Sequence, residues 1–337
     1  MVKPVEDVVP DVAPAAAAPK RRRWLRYAAA TLAVILLATP GVSWYFAGEV
    51  INVQHNPPEF SLPVTDVTDT EVTLPTEEET VRPGTWGLQW ADGRAVLGEV
   101  VRSNAETVTR EIDDIVYGEL REGTATRIDG WTYGEDPKQA HGIDFDEVDV
   151  PTELGDAPAS PDGYHHLGDS EWRDVEAAID YALDKGAKNV VLHGWSMGGA
   201  VTMTTLRRME APDRVAGIIL DSPVLDWNST LDKQGGQRFL PAPITGLAKS
   251  FAEWRAGFDL ADLDQRAFAP DLETPTLLFA DTADETVEVS ATLDFAAAAP
   301  EDLLTLVKTS SGHTSSWNED PGAYSSQLEK FLANLSS

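Results

Sequence analysis

The sequence predicts an α/β domain built on a parallel sheet with flanking helices, preceded by a small β-rich region and one N-terminal transmembrane helix. Three observations predict it. Apolar runs at 190–192, 214–224, 275–287 and 302–317 alternate with helical stretches, the pattern of parallel strands joined by crossover helices. The first of these runs, Val190-Val191-Leu192, leads into Gly194-Trp195-Ser196-Met197-Gly198, a glycine-flanked serine between a strand and a helix. Residues 27–47 form an uncharged stretch of 21 residues, long enough as a helix to cross the ~30 Å hydrocarbon core.

Taken in order, residues 1–19 are rich in Ala, Pro and Val without a period and read as a disordered tail. Lys20-Arg21-Arg22-Arg23 and Arg26 complete a basic segment, 1–26, which the positive-inside rule places in the cytoplasm, with the body beyond the membrane. Trp24 and Tyr27 at one end of the span, and Trp44 and Tyr45 at the other, suit the two interfaces. Residues 48–66, with Pro57-Pro58, read as a linker. Region 67–150 carries short strand-like runs (EVTLP, TWGLQW, RAVLGEVV, ETVTREI, TATRIDGW) separated by turn signals such as Ala91-Asp92-Gly93. Trp86, Trp90 and Trp131 there serve packing or a binding surface, with packing the commoner use. Glu77-Glu78-Glu79 reads as a solvated loop, and 143–150 as a half-exposed strand.

Residues 151–337 hold the α/β domain. Ser170 is a candidate N-cap for a helix whose stripe is Trp172, Val175, Ile179 and Leu183, closed by Gly186. A second helix follows the serine turn from about Ala200 to Met209. Segment 225–272, with one helix near 244–255, is placed as a cap over a pocket, and Tyr324–Leu335 as a terminal amphipathic helix.

Composition excludes several classes. The chain has 337 residues and no cysteine, so disulfides, thiolate metal sites and a cysteine nucleophile are absent. Net charge is −30; residues 1–26 hold six Lys/Arg against three Asp/Glu, leaving −33 on the rest. A body so acidic repels nucleic acid and anionic surfaces.

Ser196, Asp284 and His313 fall at the carboxyl ends of strands, in an order that suits nucleophile, acid and base. A serine hydroxyl is a weak nucleophile until a histidine accepts its proton, and the histidine needs a carboxylate to fix its tautomer. In the turn itself, side chains at Gly194 or Gly198 are expected to collide with neighbouring elements. Asp281 is a second-choice acid and Asp221 a third. His193 reads as a packed strand residue. His141-Gly142 lacks the further glycines of an oxyanion turn, and His165-His166 lacks a third ligand for a metal.

With GWSMGG at 194–199, ILDSPV at 219–224, LLFADTADETV at 277–287 and SGHT at 311–314, residues 151–337 resemble the α/β-hydrolase superfamily, in particular bacterial esterases, lipases and dipeptidyl-peptidase-like serine hydrolases. The resemblance implies Ser196 as nucleophile, His313 as general base, Asp284 as its acid partner, the Met197 amide as one oxyanion donor, and no cofactor. The implied substrate is a small ester or, second, a peptide. Position 281, an Asp, is where such enzymes usually have Gly.

One departure is large. Such a domain carries a strand, helix and strand before the helix at 171–185; here LGDAPASPDG joins the 143–150 run almost directly to that helix. The second oxyanion donor then has no visible source, and the serine-bearing strand is expected at a sheet edge or in a rearranged pairing. Two other readings therefore stand beside the enzyme. One is an impaired hydrolase fold acting as a binding protein or degenerate copy. The other is a tethered interaction module centred on the β-rich region.

Overall fold

The computed structural model of the chain describes residues 20–53, 59–130 and 160–335, together with 142, 144, 148–152 and 154. The tail at 1–19, Trp131, His141 and most of the 143–150 run lie outside the described residues; Asp144 and 148–150, which are described, are not in a strand.

Helix α1 spans Lys20–Ile51, with Pro40 inside it. Its upper part is exposed, Trp24 at 67% and Leu37 at 82%. Among the described residues no helix is long and apolar enough to cross a membrane; the side chains at 25, 32 and 34–36, within or beside the uncharged run, are not among those described. The helix does not stop at 47 as the hydropathy suggests. Ser43, Ala47 and Ile51 are fully buried, so the first four residues of the expected linker, 48–51, are helical, with Ile51 in the core and Val50 packed against it.

Seven strands follow: β1 Leu62–Pro63, β2 Asp66–Val67, β3 Glu71–Pro75, β4 Trp86–Trp90, β5 Gly93–Ser103, β6 Thr107–Tyr117 and β7 Ala125–Asp129. They form an antiparallel sheet in the order β1-β7-β4-β5-β6-β3-β2. Alternation decides which side chains turn inward. Val72, Leu74, Leu88, Trp90, Ala95, Leu97 and Val108 make one core. Trp86 and Trp90 are buried, so both tryptophans pack. The expected linker contributes β1 and the first residue of β2 to this sheet.

The second sheet has four parallel strands, β8 Val190–Trp195, β9 Val215–Asp221, β10 Thr276–Asp281 and β11 Leu304–Thr309, in the order β11-β10-β9-β8. The central pair, β9 and β10, is buried almost throughout, as expected of parallel strands covered on both faces. Strand β8 is the edge, and no described strand pairs with its outer side. Helix α2, Trp172–Asp184, packs Val175, Ile179 and Leu183 beside this sheet. Ser170 is not its cap: the N-cap is Glu171, without a side-chain bond, because the Ser170 hydroxyl is engaged by His166.

Helix α3, Met197–Arg208, starts directly after Ser196. The 225–272 segment holds two helices rather than one, α4 Trp227–Gln237 and α5 Ala242–Ala256. The polar, glycine-containing sequence of α4 hides its period, but Asp226 caps it by accepting from the amides of Asn228 and Ser229. Helices α6 Val289–Ala298, α7 Ser316–Glu319 and α8 Pro321–Leu335 complete the chain. The end of α1 packs on α5: Ser43 Oγ donates to the Ile244 carbonyl (3.0 Å), and the Trp44 ring meets Phe251 edge-on at 5.6 Å. Ala47 and Ile51 share a core with Ala200, Val224, Trp227, Leu231 and Ala252, and Met197 packs against it.

Candidate active site

Ser196 sits at φ 51°, ψ −119°, a conformation that L-residues adopt only under constraint. The constraint is visible on both sides. The Ser196 amide donates to the Asp221 carbonyl (3.1 Å) of β9, and its carbonyl accepts from Val224 (3.0 Å) and Gly199 (3.0 Å). A Cβ at Gly194 would lie 2.6 Å from the Gly198 carbonyl oxygen, so glycine is required there. Gly198 itself faces open space, contrary to the sequence expectation. The second steric requirement falls on Gly199, whose Cβ would sit 2.4 Å from Pro223 Cβ.

The turn aims Ser196 Oγ at His313 Nε2, 2.9 Å away, and His313 Nδ1 lies 2.7 Å from Asp284 Oδ2. The three residues named from the sequence are thus brought together from the β8–α3, β10–α6 and β11–α7 connections. Asp284 is buried, and its second oxygen accepts from the amides of Thr286 and Val287, both at 2.8 Å. That leaves Oδ2 for the imidazole. Lys233 of α4 fastens the same loop by donating to the carbonyls of Asp284 (2.6 Å) and Val287 (2.8 Å). Met197 opens α3, where the first amides have no intrahelical acceptor and the helix end favours developing negative charge.

The other two carboxylates have different work. Asp281 accepts from the Ser311 amide (2.8 Å), Thr309 Oγ1 (3.0 Å) and the Ala283 amide (2.8 Å), which ties the turn before His313 to β10. Asp221 accepts from Ser316 Oγ (2.8 Å) and Ser222 Oγ (3.1 Å) beneath the same loop. Burial raises its pKa to about 6, with hydrogen bonds from Ser316, Ser222 and Tyr324 pulling the other way. Neither reaches His313 by a hydrogen bond.

His193 stacks on Trp195, centroids 3.7 Å apart, and contacts Tyr324 Oη at 3.2 Å. Burial holds its pKa down at about 4, so it is a neutral packed ring. His166 belongs to a cluster the sequence reading missed: Nδ1 faces Ser160 Oγ (2.8 Å) and Ser170 Oγ (2.6 Å), and Nε2 faces Asp162 Oδ2 (3.1 Å). The cluster braces the loop leading into α2. The spacing Ser160, Asp162, His166, Ser170 was its only sequence signal.

Two families match the chain. Residues 160–336, just over half of it, match the prolyl oligopeptidase family, and residues 63–129 match a domain of unknown function (DUF8805). No curated protein matches it by sequence. Among solved structures, an esterase of Pyrococcus furiosus aligns with 20% identity and a TM-score of 0.40, over 51% of this chain and 64% of that one. A thermophilic esterase from Thermogutta terrifontis aligns at 18% identity and 0.34, over 49% and 72%. A 2-hydroxy-6-oxo-6-phenylhexa-2,4-dienoate hydrolase from Rhodococcus aligns at 18% and 0.33, over 50% and 72%. The chain therefore spans under two thirds of the Pyrococcus esterase.

Proposed function

This chain belongs to the prolyl oligopeptidase family, a serine-hydrolase family of the α/β-hydrolase type, and from that premise we propose that it hydrolyses a small ester, or second a peptide, through an acyl-Ser196 intermediate. The observation that carries the reading is the unbroken line from Ser196 Oγ to His313 Nε2 and from His313 Nδ1 to Asp284.

The steps follow from that line. Ser196 Oγ attacks the substrate carbonyl while His313 Nε2 takes its proton. Asp284 holds the imidazolium through Nδ1. The oxyanion meets the Met197 amide at the start of α3. Collapse expels the alcohol or amine, which takes its proton from Nε2. Water, deprotonated by the same nitrogen, then releases the acid and regenerates Ser196. The strained backbone at Ser196 keeps Oγ aimed outward, so little reorganisation is needed at the moment of attack.

We further propose that α1 anchors the enzyme in a membrane, its basic end cytoplasmic and its body outside. The uncharged part of α1 that does not pack on the body, 27–42, the cluster at 20–26 and the exposure of Trp24, Tyr27 and Leu37 support it. A second reading, a hydrolase fold that binds without turnover, is favoured by one observation, that no described strand pairs with the outer side of β8. The deciding assay is release of p-nitrophenol from a short-chain p-nitrophenyl ester, beside the Ser196→Ala variant. Turnover lost in the variant supports the enzyme. A folded wild-type chain without turnover supports the binding protein. Membrane attachment is read separately, by whether sodium carbonate extracts the full chain from membranes.

A further inference from the structure

The seven-stranded module has no part in the steps above, yet it grips the element that carries His313. Asn318 lies on α7, five residues beyond His313, and is fully buried. Its Nδ2 donates to the carbonyls of Thr85 (2.8 Å) and Gly130 (2.7 Å), and its own carbonyl accepts from the Thr85 amide (2.9 Å). At Gly84, φ is +88° and a Cβ would stand 2.1 Å from that carbonyl oxygen. Backbone of the module and backbone of α7 are in direct contact.

The module's side of this contact is held by another buried group. Arg110 on β6 is fully buried and, among the described residues, its guanidinium hydrogen-bonds carbonyls rather than a carboxylate. Its guanidinium donates to the carbonyls of Thr80, Arg82, Gly84 (2.6 Å) and Gly98 (2.6 Å). A buried cation is costly unless its donors are satisfied, and here they are satisfied by the loop 80–84 that meets Asn318. From the opposite side, Asp281, Ser222 and Asp221 hold Ser311, Thr314 and Ser316. The His313 loop is therefore clamped between the parallel sheet and the module. The same junction encloses a cleft of about 670 Å³, with Glu78, Glu79 and Arg82 of the module facing Glu285, Ser311 and His313.

We propose that the module is a built part of the active site: it positions the His313 loop through Asn318, and its 78–83 segment forms the outer wall of the substrate cleft. Resting on the hydrolase reading above, this makes Asn318 and Arg110 positioning residues that touch no reacting atom.

Two single variants of the full chain test it. Asn318→Asp keeps the volume but turns two donated bonds into oxygen–oxygen contacts. Gly84→Ala disturbs the junction from the module side alone. In each, the rate of fluorophosphonate labelling, kcat and KM on a p-nitrophenyl ester, and the His313 Nδ1 proton resonance in a [15N]histidine sample are compared with wild type. The proposal predicts folded proteins with labelling and kcat down about 10²-fold and a shifted or lost His313 signal, KM staying within about twofold for Asn318→Asp and rising for Gly84→Ala, which displaces the 78–83 wall. A folded variant with wild-type labelling and an unchanged His313 signal overturns it. Should both variants fail to fold, urea titration of the wild type decides. Labelling that disappears together with hydrogen-exchange protection of 86–117 supports the clamp, and labelling that outlasts that protection overturns it. A wild type that never labels defeats the hydrolase reading instead, while the His313 resonance still reports on the clamp.

Discussion

The two sheets solve the same problem differently. The antiparallel module closes a core with its own alternating side chains, Val72 and Leu74 against Leu88, Trp90, Leu97 and Val108. The parallel sheet buries β9 and β10 but leaves β8, the strand that delivers Ser196, at an edge. What covers the region beside the serine turn comes from far away in the chain: Ala47 and Ile51 of α1 complete its core, and the module grips α7. The difference teaches that a short sheet can hold a strained serine turn if its neighbours are packed on as side chains rather than added as strands.

Predictions follow that contrast, beginning with the largest. Ser196→Ala should reduce ester turnover by up to about 10⁶-fold, the scale of losing the nucleophile of a triad; a loss under tenfold would mean that the edge strand carries no functional nucleophile. Ile51→Ala should cost roughly 2–5 kcal/mol in chemical denaturation of the α/β domain, since it empties a fully buried site. Leu37→Ala on the exposed part of the same helix should change it by less than about 0.5 kcal/mol. Equal effects would show that α1 is only a tether.

On adjacent strands of the parallel sheet, buried Asp221 and half-buried His193 titrate in opposite senses. Asp221, with its pKa raised to about 6, holds a proton in the folded state that the unfolded chain has released, so stability falls as pH rises from about 4 to 6. His193, held near 4, lacks a proton that the unfolded chain carries, so stability rises with pH from about 4 to 6.5. Each effect is at most about 3 kcal/mol, and their slopes largely cancel. Asp221→Asn should therefore steepen the rise of melting temperature between pH 4 and 6, and His193→Gln should reduce or invert it. Parallel profiles for wild type and both variants would refute this pairing. At the turn, two neighbouring glycines give effects of opposite sign. Gly198→Ala enters open space in a helix and should gain about 0.5–1 kcal/mol, whereas Gly199→Ala meets Pro223 and should destabilise.

Much of this was legible in the sequence because its signals are local. A serine between glycines, an acid after one strand and a histidine after another need only strand ends to be recognised, and the structure brings Ser196, Asp284 and His313 within hydrogen-bond reach. The strands of the module followed from alternation. What escaped depends on distant contacts. The lower end of α1 carries small and aromatic residues that read equally as interface or linker, and only packing on α5 makes them core. Helix α4 is too polar to show a stripe. Asn318 and Arg110 look like surface residues until the carbonyls they serve are in place. Asp281 and Asp221 ranked below Asp284 already in the sequence, but the turns that occupy them appear only in the fold.

Ser196 and His313 are held to form a working pair although no described strand pairs with the outer side of β8. Fluorophosphonate labelling of the folded full chain, located by mass spectrometry and run beside Ser196→Ala and a denatured control, tests it most directly. The account predicts one adduct, on Ser196, that needs the folded state and disappears in the variant. A folded chain that stays unlabelled, or an adduct that persists in Ser196→Ala, would contradict it.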